Sequence, residues 1–216
     1  MKKFVLTLCI GFFTAVSLVC SIQQTEAALT EGVIRLHVRA NSNTDKDQAL
    51  KLKVRDRIIS DASYLFENQT NIKSAKKTIN DNIELITAAA EDEIQKNGYN
   101  YPVSIRYGKS DFPEKIYKNI TMPAGTYEAL IVEIGSGKGE NWWCVLFPPL
   151  CFVDESCTGI SDKSKDILID NLGKDAYEII QSDKKPSVKI RFKLYEMWES
   201  NAKKLKTITA KKGSKK

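Results

Sequence analysis

Histidine is almost absent: His37 is the only one in 216 residues. That scarcity bears first on zinc, because Cys144, Cys151 and Cys157 have no histidine near them and three thiols do not complete a tetrahedral shell. No metal site and no cofactor are expected. The glycine-rich stretch Gly135–Gly139 lacks the Gly-Lys-Ser/Thr ending and the following helix of a phosphate-binding loop. Glu140, Asn141 and two tryptophans come next instead, so a plain turn is expected. There is no internal repeat and no long linker. Apolar runs that approach the width of a bilayer are equally scarce, with one exception at the start of the chain.

That exception runs from Phe4 to Cys20 behind Lys2 and Lys3, and a polar stretch leads from it to Ala27 and Ala28. Basic start, apolar middle and small-residue exit are the layout of a secretory signal, with cleavage expected near Ala27. Retention as a membrane segment is the alternative, since about 17 residues is the lower edge of what spans a bilayer. Ser17-Leu18-Val19 lacks the small residue expected before a lipidated Cys20.

With residues 1–27 set aside, the length suits one domain, expected over 28–200. Residues 28–200 hold 24 basic and 26 acidic side chains, whereas 201–216 hold seven lysines and no acid. The overall charge of +6 therefore belongs to a tail and not to the folded body. That tail is expected to be a solvated, disordered terminus, with attraction to a membrane or wall polymer as its functional reading. No nucleic-acid partner is expected. Two of the five cysteines, Cys9 and Cys20, fall in the export segment. The remaining three lie within 14 residues, which in an exported protein favours one disulfide and one leftover thiol.

Alternation in 33–39 predicts a half-buried strand with Ile34, Leu36 and Val38 inward and Arg35, His37 and Arg39 outward. Thr44 and Asp47 predict a helix start of the capping-box kind, and the helix behind it carries Leu50, Val54, Ile58 and Leu65 inward, with Lys51, Arg55 and Asp61 outward. One long helix is expected from Ile72 to Ile94, ended by Asn97-Gly98. Strands follow over 99–107, around 116–122 and over 126–134, the last apolar on both faces and so internal to its sheet. A helix over 161–182 with a weak point at Gly173, a strand over 188–194 and a short helix over 196–206 complete the expectation. Without a regular βαβ repeat the class is α+β: a single domain with a mixed or antiparallel sheet packed against several helices.

The run Asn141 to Phe152 is unlike the rest. Pro148 and Pro149 enforce a turn between Cys144 and Cys151, and a bridge there would stabilise the loop by about 2 to 3 kcal/mol. Trp142, Trp143, Phe147 and Phe152 then have two readings: burial in the core, or presentation with the prolines to a partner as preorganised anchors. A thiol nucleophile at Cys144 or Cys157 would require His37 beside it, and nothing in the spacing brings them together.

Three stretches, Ile34 to Ser42, Asp47 to Asp56 and Asn141 to Asp154, together resemble the stage II sporulation protein R family of endospore-forming Firmicutes, in a likeness that covers residues 33 to about 195. The resemblance implies a signalling protein made in the forespore and secreted into the space between forespore and mother-cell membranes. There it would activate, by contact with its outer face, a membrane-embedded aspartic protease that processes the pro-form of the mother-cell sigma factor, sigma-E. It implies no catalytic residues. His37, Arg39 and Asn41 lie in a family motif and join Trp142, Trp143, Phe147, Pro148, Pro149 and Phe152 as expected partner contacts. An exported wall-active or thiol enzyme using His37 and a cysteine is the alternative.

Overall fold

β1 (Ile34–Arg39) runs through the middle of a four-stranded sheet, and its position explains most of the architecture. The computed structural model describes residues 26–151 and 160–181 together with Gly11, Phe12 and Val16. Phe152, Cys157, the expected strand at 188–194, the expected helix at 196–206, the lysine tail and most of the export segment lie outside the described residues. Among the described residues no helix is long and apolar enough to cross a membrane.

The sheet has the order β2-β5-β1-β6, with β2 (Val103–Phe112), β5 (Gly125–Ile134) and β6 (Asn141–Phe147). β1 pairs parallel with β5 and antiparallel with β6, and β2 pairs antiparallel with β5, so the sheet is mixed. β5 is internal, as its doubly apolar centre predicted. β3 (Lys115–Tyr117) and β4 (Ile120–Met122) form a separate small hairpin where one strand was expected.

One face of the sheet carries Leu36, Val38, Leu130, Val132, Ile134 and Cys144 into the larger core. It is covered by α1 (Asp45–Leu65), α2 (Ile72–Asp81) and α3 (Ile83–Lys96). In α1, Leu50, Val54 and Ile58 repeat at helical spacing and are buried as expected. Lys51, expected outward, is also buried, because its ammonium reaches the Glu140 carbonyl at 3.1 Å and Gln48 at 2.6 Å. The expected helix 72–94 is two helices. The chain leaves the helical conformation at Asn82 (ψ 12°), whose side-chain amide donates back to the Thr78 carbonyl.

The opposite face packs Tyr127, Ala129, Ile131 and Val145 against Leu29 of a helical turn at 26–31, the β3–β4 hairpin, α4 (Asp162–Leu172) and α5 (Lys174–Ile180). Gly173, at φ 82°, divides α4 from α5 where the sequence has its weak point. Cover on both faces corrects the expected half-wet β1. Arg35 and His37 are 0 % and 3 % exposed, and only Arg39 reaches solvent.

Candidate functional site

The expected contact residues divide along β6. Alternation sends Trp142 to the helical face, where the Arg55 guanidinium stacks 4.0 Å from its ring, and sends Trp143 to the opposite face beside His37. Adjacent tryptophans of a strand cannot share a surface, so the pair is not one anchor.

Cys144 and Cys151, seven positions apart in sequence, form a disulfide. The loop it closes faces inward. Phe147 is fully buried against Phe66, Pro148 is buried, Leu150 is 2 % exposed and its N–H donates to the Val145 carbonyl. This corrects the expectation that Phe147 and Pro148 meet a partner: they are core, and Pro149 is half-buried. The same bridge removes Cys144 as a nucleophile. Cys144 also points to the helical face with Leu36, away from His37, and Cys157 lies outside the described residues.

His37 sits at the centre of a cluster on the second face. Its Nδ1 lies 2.9 Å from Ser110 Oγ and its Nε2 2.8 Å from Asn141 Oδ1. A neutral ring that donates from Nε2 to the amide oxygen and accepts the serine hydroxyl at Nδ1 satisfies both bonds. Burial pushes the imidazole pKa down, against the hydrogen bond to Asn141 that raises it, and the Arg39 charge pushes it further down. Trp143 stacks on the ring at 5.8 Å between centroids and Phe112 meets it edge-on at 5.8 Å. Arg39 pairs with Glu133 at 3.2 Å, and Lys115 Nζ lies 5.4 Å from the Trp143 ring.

Ser110 reaches this cluster by an unexpected route. In the ladder, His37 is level with Ile131 and through it with Arg106, so Ser110 lies four positions further along β2, roughly 13 Å in a flat strand. The β2–β5 ribbon must therefore curl over the second face, and Gly108 occupies the middle of the bend. The curl also carries Phe112 onto Arg35.

Arg35 lies deeper in the same face. Its guanidinium is 4.4 Å from the Phe112 ring and 4.8 Å from the Tyr127 ring, and Nε donates to the Cys144 carbonyl at 3.0 Å. Nη2 is 3.4 Å from the Tyr117 hydroxyl, and Nη1 has no hydrogen-bond partner among the described residues. Burial pushes its pKa down and pushes that of Tyr127 up to about 12. Sequence alternation placed Arg35 outward; only the packing of the second face puts it here.

Asn41 serves the scaffold. Its amide donates to Asp47 at 2.8 Å, its carbonyl oxygen accepts the Ser136 N–H at 2.9 Å, and Ser42 donates to the same Asp47 carboxylate at 2.6 Å. Thr44 accepts the Asp47 N–H as the expected helix cap. The hydrogen bond from Ser42 chiefly, against desolvation and with help from Asn41, holds the buried Asp47 carboxyl below the usual range. Gly139 fits because its Cβ position lies 2.3 Å from the Ser42 carbonyl oxygen. The family motif thus clasps the β5–β6 turn against the start of α1.

The family model for stage II sporulation protein R matches residues 30–157, a span that contains every element of this cluster. The chain belongs to the stage II sporulation protein R family. It is 41% identical over 128 residues to Stage II sporulation protein R of Bacillus subtilis (strain 168), an alignment covering 59% of this chain and 57% of that protein. The chain thus aligns with a little over half the length of this curated relative. No solved structure matches. The match places the clasp, the disulfide and the His37 cluster inside the family region and leaves α4 and α5 outside it.

A hydroxyl, an imidazole and an amide in a row can serve nucleophilic catalysis, and here the ring that links them is almost sealed from solvent. Two surface depressions, beside Glu26 and Thr30 and beside Tyr64 and Leu85, lie away from it. What solvent meets at the cluster is Arg106, together with the partly exposed Arg39, Lys115, Asn141 and Trp143.

Proposed function

We propose that this chain is a secreted sporulation signal. It is exported from the forespore by residues 1–27 and acts in the space between the forespore and mother-cell membranes. There it activates the membrane-embedded aspartic protease that processes the pro-form of sigma-E, by binding the outer face of the protease's active state more tightly than its inactive one. The seven lysines of 201–216 add a non-specific attraction to a membrane or wall.

The observation that carries the reading is the Cys144–Cys151 bridge in a member of this family. Structural disulfides persist in oxidising compartments and are rare in the cytoplasm, so the bridge supports an extracytoplasmic place of action. The test is to express the chain in Bacillus subtilis cells lacking their own relative and to follow sigma-factor processing during sporulation. Full-length chain restores processing, and the same chain without residues 1–27 accumulates in the forespore and does not. Processing that proceeds with the chain confined to the cytoplasm would sink the reading.

A further inference from the structure

The exposed half of the second sheet face has an anatomy of its own. The stacked rings of His37 and Trp143 form its aromatic part, with three cations around them: Arg39 with its Nε 3.4 Å from His37 Nε2, Lys115 over the indole at 5.4 Å, and Arg106 from β2 level with His37 in the ladder. The Arg106 charge is close enough to lower the His37 pKa. The acid Glu133 stands among them, already paired with Arg39. Among the described residues neither Arg106 nor Lys115 takes part in an ion pair. The Trp143 indole N–H is buried beneath the face and has no acceptor among them, so the ring meets a partner through its exposed carbon edge.

An aromatic centre with a cationic, hydrogen-bonding rim is the composition of a protein-recognition hot spot. We infer that this face docks an acidic peptide segment of a protein partner, whose carboxylates meet Arg106 and Lys115 and compete with Glu133 for Arg39. The inference rests on the signalling role proposed above and gives that role a contact surface and a partner chemistry. A peptide suits the face better than an anionic lipid surface for two reasons. Trp143 lies against His37 and does not project for insertion between headgroups. Glu133, inside the patch, repels a continuous anionic plane, whereas a peptide can set an amide against it.

The experiment titrates the full chain, disulfide intact, into a fluorescein-labelled octapeptide of alternating glutamate and tyrosine, followed by anisotropy. The counterpart peptide carries glutamine for glutamate, and phosphatidylglycerol vesicles are the third probe. The expected result is saturable binding to the acidic peptide that weakens with salt and is lost with the glutamine peptide. Arg106→Glu with Lys115→Glu weakens it about tenfold or more, and Trp143→Ala weakens it too. Lys46→Glu with Lys73→Glu, the same charge change on α1 and α2, leaves it unaltered. Arg106→Gln with Lys115→Gln, a milder change, guards against misfolding in the reversed variant and must weaken binding in the same direction. Equal loss in the α1–α2 control, equal binding of the two peptides, or substitution-sensitive binding to the vesicles alone overturns the inference. Because the titration does not involve sigma-factor processing, a chain that binds the peptide at this face but fails to restore processing counts only against the proposed function.

Discussion

Replacing Arg35 by methionine should leave the protein about as stable as before, or more so, although Arg35 is among the most buried residues of the sheet. The guanidinium gains a charge-assisted bond to the Cys144 carbonyl, about 1.5 to 3 kcal/mol, and two ring faces, roughly 1 kcal/mol or more each. Against this, taking a cation out of water costs several kcal/mol after relaxation, and leaving Nη1 without a partner adds about 1 to 3. No carboxylate among the described residues pairs with it. The two sides come close to cancelling, and methionine fills most of the same space with an unbranched apolar chain that can reach toward Phe112 and Tyr127. Arg35→Met should therefore unfold in denaturant within about 1 kcal/mol of the parent or above it, by analogy with other buried charges exchanged for apolar side chains. Arg35→Ala removes the stem as well and should cost about 2 to 5 kcal/mol, the range of large-to-small core changes. The assay is equilibrium unfolding in guanidinium chloride at pH 7 with the disulfide intact and the m-value checked for constancy. A methionine variant that loses about 3 kcal/mol or more at unchanged m would refute the reasoning and would mean that the aromatic box stabilises the charge far better than its geometry implies.

Other perturbations discriminate equally well. Gly139→Ala places a methyl 2.3 Å from the Ser42 carbonyl oxygen and should cost about 1 to 3 kcal/mol or more. Gly137→Ala meets only Glu133 carbons at 3.5 Å and beyond and should cost about 1 to 2 kcal/mol for its left-handed φ of +61°, so the reverse order in thermal melts would contradict the clasp. Removing the bridge with Cys144→Ala and Cys151→Ala together should lower stability by about 2 to 3 kcal/mol on the chain-entropy account; three free thiols per chain after residue 27, titrated in denaturant without reductant, would contradict the pairing. Acid should act in two stages, since the folded pKa values of His37 and Asp47 are both depressed and each contributes stability that is complete above its unfolded pKa and lost as pH falls. The first loss begins below about pH 6.5 and the second below about 3.9; His37→Asn should flatten the first and leave the second, and an unchanged profile would remove His37 as its source.

Local order was largely legible in the sequence, and long-range curvature was not. The β1 and β5 patterns, the Thr44 cap, the two-proline turn and the Gly173 weak point each follow from a short window, because alternation, capping and φ restrictions act over a few residues. The helix break at Asn82 was missed because apolar spacing continues across it while a local side-chain bond ends the helix. Arg35 and His37 were placed outward because alternation reports that two faces differ, not that both are covered. Ser110 carried one faint sign, Gly108 two residues before it in a strand, and nothing in a linear pattern says over which face a ribbon will curl. The Asn41 clasp had a sign as well, since Gly135, which meets Asn41, and Gly139, which meets Ser42, stand in one short run, yet which polar residues they approach depends on the β1–β5 register.

The division of the tryptophans also gives the disulfide its role. Cys144 faces the helices between Trp142 and Leu146, while Trp143 and Val145 face the other way over His37 and Arg35. The bridge therefore fixes β6 from behind the surface that its neighbours present. Among the described residues β6 is an outer strand that pairs only with β1, so fraying is the motion it would otherwise favour. A frayed β6 would withdraw Asn141 from His37 and Trp143 from the three cations at once. Closing the loop at Cys151 opposes that motion without a single atom of the bridge entering the recognition face. A chain without the bridge would keep the sequence of this face and lose part of what holds β6 in place, about 2 to 3 kcal/mol on the chain-entropy account.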